Sequence, residues 1–252
     1  MIERFQGPRR ADLLRGFANA AWWSDLVRTK LARAGLPSLL IALPLLESNY
    51  DPLAAPHGSA GAVGLWQFMP ATARAYGLEV DDEIDERRDP WRSTDAAVRY
   101  LVDLDRESQG NWPIALASFN AGSGRVARAT QESGARVMSA DDPSAYWLAQ
   151  SRMPRETQAY LPALVALTRL WGAPAAYGID TPVVAAPPAL ARITVAPYTA
   201  LRDVATAYAV SLTELHRWNP AVRGARTPGR LYPLLIPMVT MATMVTASDV
   251  PR

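Results

Sequence analysis

Glu47 closes an almost uninterrupted apolar run, Leu39-Leu-Ile-Ala-Leu-Pro-Leu-Leu46. A carboxylate at the end of a buried helix loses hydration. That raises its pKa, and a carboxyl still protonated near neutral pH can serve as a general acid. The plainer alternative is a Glu that reaches solvent from a helix C-terminus, where the helix dipole mildly disfavours an anion. The composition removes most competing chemistries. Cys is absent, which excludes disulfides, thiol nucleophiles and Cys-ligated metals. The two histidines, His57 and His216, are too few for a multi-His metal site, and any Ser-His-Asp triad would have to use one of them. No metal and no organic cofactor is expected, so catalysis should be indifferent to chelators. The formal net charge of +2 is too balanced for an electrostatic case for nucleic acid, and the near-absence of Lys (Lys30 is the only one) reads as a coding bias toward Arg. Carboxylates, amides, hydroxyls and aromatic rings are what remains.

The elements that must hold Glu47 are mostly helical. The chain has 252 residues, 49% apolar and 20% charged, enough for one large domain or a medium one with an appendage. Apolar residues from Leu13 to Leu31 recur at helical spacing up to Gly35. Pro37 opens a second helix, Ser38 to Ser48, apolar on most faces and therefore buried. Asn49 to Pro70 reads as loop with a short helical turn. Asp89-Pro90 starts a helix through Ser108, Trp112-Pro113 one to Phe119, and another follows Gly124 to Thr130. The last large helix runs from Pro154 to Trp171, with a kink or a break expected at Pro162. Strand-like alternation is essentially absent before residue 180.

Around Glu47 the residue order becomes specific. Glu47-Ser-Asn-Tyr-Asp-Pro52 leads into Ser59-Ala-Gly-Ala-Val-Gly-Leu-Trp-Gln67 and Pro70-Ala-Thr-Ala73. A second block is Ala115-Leu-Ala-Ser-Phe-Asn-Ala-Gly-Ser-Gly-Arg-Val126, and a third is Pro154-Arg-Glu-Thr-Gln-Ala-Tyr160. Together they resemble the catalytic signature of the soluble-type lytic transglycosylases, the goose-lysozyme-like glycosidase family. Arg88-Asp-Pro-Trp-Arg-Ser-Thr-Asp-Ala-Ala97 is similar to the helix opening of the membrane-bound transglycosylase D branch. Four ordered blocks across residues 39–171 carry the likeness.

The resemblance implies a goose-lysozyme-like α domain and a single catalytic acid/base, Glu47. It places Gln67, Asn120 and Tyr160 along a sugar groove, with Ser48, Ser59 and Phe119 also on the substrate side. Trp66 stands where many members have Met, and Phe119 where many have Tyr. The implied substrate is the glycan strand of peptidoglycan, cleaved at the β-1,4 bond with formation of a 1,6-anhydro end. The nucleophile is then the sugar's own C6 hydroxyl, so one carboxylate suffices where most glycosidases use two. Several residues also have plain structural readings. Gly61 and Gly64 could be turn formers, Asn120 a helix cap and Tyr160 core; His57 and His216 read as ordinary loop or surface residues.

Composition shifts after Tyr177. The expected organisation is a catalytic domain over 1–177, a Pro/Ala-rich linker over 178–192, a small unit over 193–237 and a tail over 238–252. The unit reads as β-α-α-β, with strands at Ile193-Val195 and Leu231-Ile236 and helices at Leu201-Tyr208 and Thr213-Trp218. Leu201 to Pro220 resembles the middle of a LysM glycan-binding module, though Tyr198-Thr-Ala-Leu201 replaces the family's Gly-Asp-Thr-Leu. The fold class is thus a mainly α domain followed by a small α+β, LysM-like module. A chain ending near Tyr177 is expected to fold and act alone. The opposing view has the unit packed on the α domain, covering apolar surface near Trp171 and Tyr177.

Two further readings stay open. One is a muramidase, which needs a second carboxylate across the groove, from Asp51, Asp81, Asp82 or Asp85. The other is a glycan-binding scaffold with an inert groove. The first ten residues lack the apolar run of a signal peptide, and no window reaches the ~20 apolar residues of a spanning helix. A periplasmic or cell-envelope location is inferred from the substrate.

Overall fold

The computed structural model describes residues 1–55, 61–140, 142–185 and 187–238. Helices α1 (Ile2–Gln6), α2 (Arg10–Arg33), α3 (Leu43–Ser48) and α4 (Pro70–Ala75) come first. They are followed by α5 (Pro90–Glu107), α6 (Trp112–Ala121), α7 (Ser123–Glu132), α8 (Ser144–Ala149) and α9 (Arg155–Gly172). A 3-10 segment, Ser38–Ala42, precedes α3, so the expected helix from Ser38 has two pitches rather than one. The C-terminal unit is β1 (Leu190–Val195), α10 (Leu201–Ala207), α11 (Leu212–Trp218) and β2 (Tyr232–Pro237). β1 and β2 pair antiparallel, from Leu190 opposite Pro237 to Val195 opposite Tyr232. The first strand begins three residues earlier than its β-branched core suggested. The molecule is therefore mainly helical, with a small two-stranded α+β unit at its C-terminal end.

Local chemistry accounts for the helix starts. Asp89 accepts the N–H groups of Trp91 (2.8 Å) and Arg92 (3.0 Å), with Pro90 at the first helical position. Asn111 caps α6 through Ile114 N and also donates to the Ser139 and Asp142 carbonyls. Ser211 and Glu214 form a reciprocal capping box on α11. α1, α4 and α8 were not legible from periodicity, because five or six residues are too few to display it.

Pro162 does not break its helix. α9 runs as one element from Arg155 to Gly172. Proline deprives the carbonyl four residues back, that of Gln158, of its helical donor. Here Gln150 Nε2 donates to that oxygen at 2.8 Å and replaces the missing bond.

α2, α3, α5, α6 and α9 enclose the main core. α3 reaches α2 closely because residue 16 is Gly; a Cβ there would collide with Leu45. The small unit is docked on this body. Trp218 of α11 is 3% exposed and packs against Trp22 (5.3 Å between ring centroids) and Trp23 (5.7 Å). Trp23 in turn meets Trp91 edge-on at 5.3 Å. In return Ile84, from the segment before α5, joins the core of the small unit. Backbone bonds tie the same seam, Asp85 N to Ala221 O and Arg223 N to Glu83 O. Trp22 and Trp23 are the α-domain rings that Trp218 covers.

Candidate active site

α3 ends in a left-handed turn, with Asn49 at φ 52° and Tyr50 at φ 56°. Asn19 of α2 donates to the Asn49 carbonyl (2.9 Å), and Tyr50 Oη donates to Ile41 O (2.7 Å). These bonds hold a strained turn directly after Glu47. Ser48 lies behind it, buried, with its hydroxyl within hydrogen-bond distance of the Pro44 (3.0 Å) and Leu65 (2.9 Å) carbonyls. It ties α3 to the following loop and does not line the groove.

Glu47 itself sits in the wall of a groove of about 670 Å³. Gln67, Asn120, Glu156 and Tyr160 line the same space, with Arg4 and Arg9 from the N-terminal segment. Tyr160 Oη, from α9, donates to Glu47 Oε1. Burial pushes the Glu47 carboxyl up to about 7; the Tyr160 hydrogen bond opposes this, and the nearby Glu156 charge adds to it. Burial, and then the Glu47 charge, push the Tyr160 phenol well above its ordinary value, so it stays a donor. Near neutral pH the site holds a carboxyl that can both give and take a proton.

The remaining residues sort by contact. Gln67, at φ 48°, donates its amide to the Gly64 (2.8 Å) and Ala54 (3.1 Å) carbonyls. Asn120 is no simple cap: its Oδ1 accepts from Thr157 Oγ1 at 2.7 Å and its Nδ2 donates to Glu156 Oε1 at 3.4 Å. Phe119 stacks between Tyr100 (5.4 Å) and Trp66 (6.5 Å) and is not among the groove-lining residues. Ser59 and His57 lie outside the described residues. Gly64 is needed for packing: at φ 86°, a Cβ would run into the Arg87 carbonyl.

None of the four aspartates considered for a second carboxylate lines this groove. Asp85 is buried against Arg87, and Asp81 accepts the N–H groups of Glu83 and Ile84. Asp82 is exposed, and Asp51 lines a different cleft. Sequence reasoning passed over Glu156, which does line the groove. Its signal was present in the third block, four residues before Tyr160 and hence on the same face of α9. Among the described residues no cluster of three or more His, Asp or Glu could hold a metal, and no helix is long and apolar enough to cross a membrane.

Residues 27–141 match the transglycosylase SLT domain. The chain is 33% identical over 196 residues to the membrane-bound lytic murein transglycosylase D of Escherichia coli (strain K12), covering 78% of this chain and 42% of that relative. It thus spans well under half of that protein's length. A shorter match, 35% over 89 residues, is to the peptidoglycan transglycosylase gp16 of Escherichia phage T7, covering 35% of this chain and 7% of that one. Among solved structures, an inactive mutant of the lytic transglycosylase Slt from Pseudomonas aeruginosa aligns with a TM-score of 0.46 at 22% identity, over 60% of this chain and 24% of that one.

Proposed function

From a chain that carries a transglycosylase SLT domain and is homologous to membrane-bound lytic murein transglycosylase D, we infer a peptidoglycan lytic transglycosylase. The observation that carries this reading is the Glu47 carboxyl, raised to about 7 and hydrogen-bonded by Tyr160 in a groove of about 670 Å³. Glu47 gives its proton to the glycosidic oxygen as the C1–O bond breaks. The C6 hydroxyl of the same sugar closes on C1 and returns a proton to Glu47. No water is consumed, and the acid is regenerated in one cycle. Gln67, Asn120 and Tyr160 line the sugar path, while Ser48 positions Glu47 from behind. Ser59 and Phe119 keep the substrate-side role that the family pattern implies, Phe119 through its ring contacts with Trp66 and Tyr100. The site of action is the cell envelope, where this glycan lies.

A hydrolytic reading has one specific support, the second carboxylate Glu156 in the same groove. Mass spectrometry of digested sacculi separates the two, because an anhydro end is one water lighter than a hydrolysed end. Anhydro products are expected. Hydrolysed ends would transfer the assignment to a muramidase, and no released fragments would leave a glycan-binding protein.

The small unit is assigned as LysM-like on its βααβ order and its Trp218-Asn219 pair. Asn219 serves the fold, exchanging two bonds with Leu235 of β2, each 2.7 Å. Tyr198 lies against Gly229, where a Cβ would strike its phenol, so the loops flanking α10 and α11 close on each other. Weak glycan binding by this unit is the expected result of a sacculus pull-down.

A further inference from the structure

The seam between the α domain and the small unit encloses a cleft of about 880 Å³ that shares no lining residue with the Glu47 groove. Trp22 and Trp23 of α2 form one side. His216, Arg217 and Arg223, on α11 and just after it, form another, and Asp51 to Leu53 with Arg88 complete it. Its charges do not balance. Arg88, Arg217 and Arg223 face a single lining carboxylate, Asp51, whose Oδ1 already accepts the Leu53 N–H at 2.8 Å.

Arg88 is the guanidinium least provided for. Its neighbour Arg87 takes both oxygens of the buried Asp85, each at 2.8 Å. Arg92 pairs with Glu86 at 3.0 Å. Arg88 Nε stands 3.7 Å from the same Asp85, buried and without a hydrogen-bond partner among the described residues. Arg87, Arg88 and Arg92 thus meet Asp85, Glu86 and Asp89 at this corner, and Arg88, the one whose Nε finds no hydrogen-bond partner among the described residues, lines the cleft. Arg217 is exposed, lies 5.4 Å over the Trp22 ring and makes no ion pair among the described residues. Arg223 has one nitrogen engaged, donating to Asp81 O at 2.9 Å. A guanidinium cannot shed its charge, and its forked donors fit a carboxylate. Aromatic and proline surface beside it suits the apolar part of a short peptide.

We propose that this cleft binds a carboxylate-bearing peptide, with Arg88 receiving the carboxylate and Arg217 flanking it. The identity of that peptide rests on the reading above: peptidoglycan strands carry short stem peptides with free carboxylates, so the enzyme would grip peptide here and sugar at Glu47. The test is calorimetric titration of the full chain with a free stem tripeptide, L-Ala-γ-D-Glu-diaminopimelate, and with the same tripeptide amidated at its carboxylates. The free acid is expected to bind, and the amide to bind about tenfold more weakly, on the scale of one charge-assisted hydrogen bond. Arg88→Gln and the exposed-site change Arg217→Glu should each weaken the free acid by a similar factor. Arg217 makes no hydrogen bond or ion pair among the described residues and lies over the Trp22 ring, so its variant, checked for an unchanged melting temperature, still decides if Arg88→Gln unfolds.

Absence of binding, equal binding of acid and amide, or indifference to Arg217→Glu would overturn the proposal. So would displacement of the peptide by chitotetraose, since that would put it in the sugar groove. The outcome is separable from the activity assignment. Arginine-dependent binding without anhydro ends from sacculi would remove the transglycosylase reading and leave an anionic peptide site. Anhydro ends without arginine-dependent binding would remove only the site.

Discussion

Around Glu47 a carboxyl is set into an apolar wall with one phenol for a partner, and the wall wins: desolvation outweighs the hydrogen bond and the group rests near 7. Around Arg88 a guanidinium is also partly withdrawn from water, beside an Asp85 already claimed by Arg87. The two groups answer the same pressure differently. A carboxyl relieves desolvation by keeping its proton, and that makes it an acid. An arginine has no neutral form available, so the strain persists as an unfilled demand for an anion. Burial therefore leaves one cleft with a carboxyl that titrates near neutral pH and the other with a fixed cation, and titratability decides which.

The largest test of this contrast is Glu47→Gln. It removes the titrating group while keeping shape, and turnover is expected to fall by ~10²–10⁴ or more. Activity above about a tenth of the parent, on that same scale, would end its assignment as the sole acid/base. Stability carries a second signature. Between pH 4.5 and about 7 the unfolded chain releases this proton while the folded chain keeps it. The folded state therefore binds more protons, and stability falls as pH rises across that window. Urea midpoints of the Gln variant should show a flatter slope there.

Next in size is Trp218→Ala, which strikes the seam and spares the groove. Removing a ring packed on Trp22 and Trp23 should cost about 3 kcal/mol, read as a lower denaturant midpoint. Truncation after Tyr177 uncovers the same rings and should lower solubility and melting temperature. A truncated chain as stable as the full one would show that the seam contributes little.

Two smaller changes should shift the pH profile in opposite directions. Tyr160→Phe removes the hydrogen bond that lowers the Glu47 pKa, so the alkaline limb of kcat/KM should move up, with a loss on the order of tenfold in rate. Glu156→Gln removes a charge that raises it, so that limb should move down, with the smallest change in rate. Limbs that move together would mean that Glu47 is not the group titrating.

Much of the α domain could be read without coordinates. Asp89-Pro90 and Trp112-Pro113 start helices where Pro needs no donor, and Glu47 ends an apolar run because that run is buried. Pro162 misled, since the Gln150 amide that repairs its helix comes from a different element. Gly64 kept two readings because the Arg87 carbonyl behind it is 23 residues away in the chain. Glu156 stands in the third block beside Tyr160, but only the fold brings α9 across from α3 to put it in the Glu47 groove.

What the sequence alone determined are local and periodic properties: helix class, caps, the domain that carries the ordered blocks, and Glu47 as a carboxyl at the end of a buried apolar run. These follow from backbone sterics and hydration acting over a few residues, which the order of side chains encodes directly. The tertiary structure decided what depends on distant surfaces meeting. It set Tyr160 on Glu47, placed Ser48 behind the groove and Phe119 in a ring stack, packed Trp218 on Trp22 and Trp23, and left Arg88 Nε without a hydrogen-bond partner among the described residues. Pairing, desolvation and charge balance are sums over neighbours in space, and those neighbours exist only once the chain has folded.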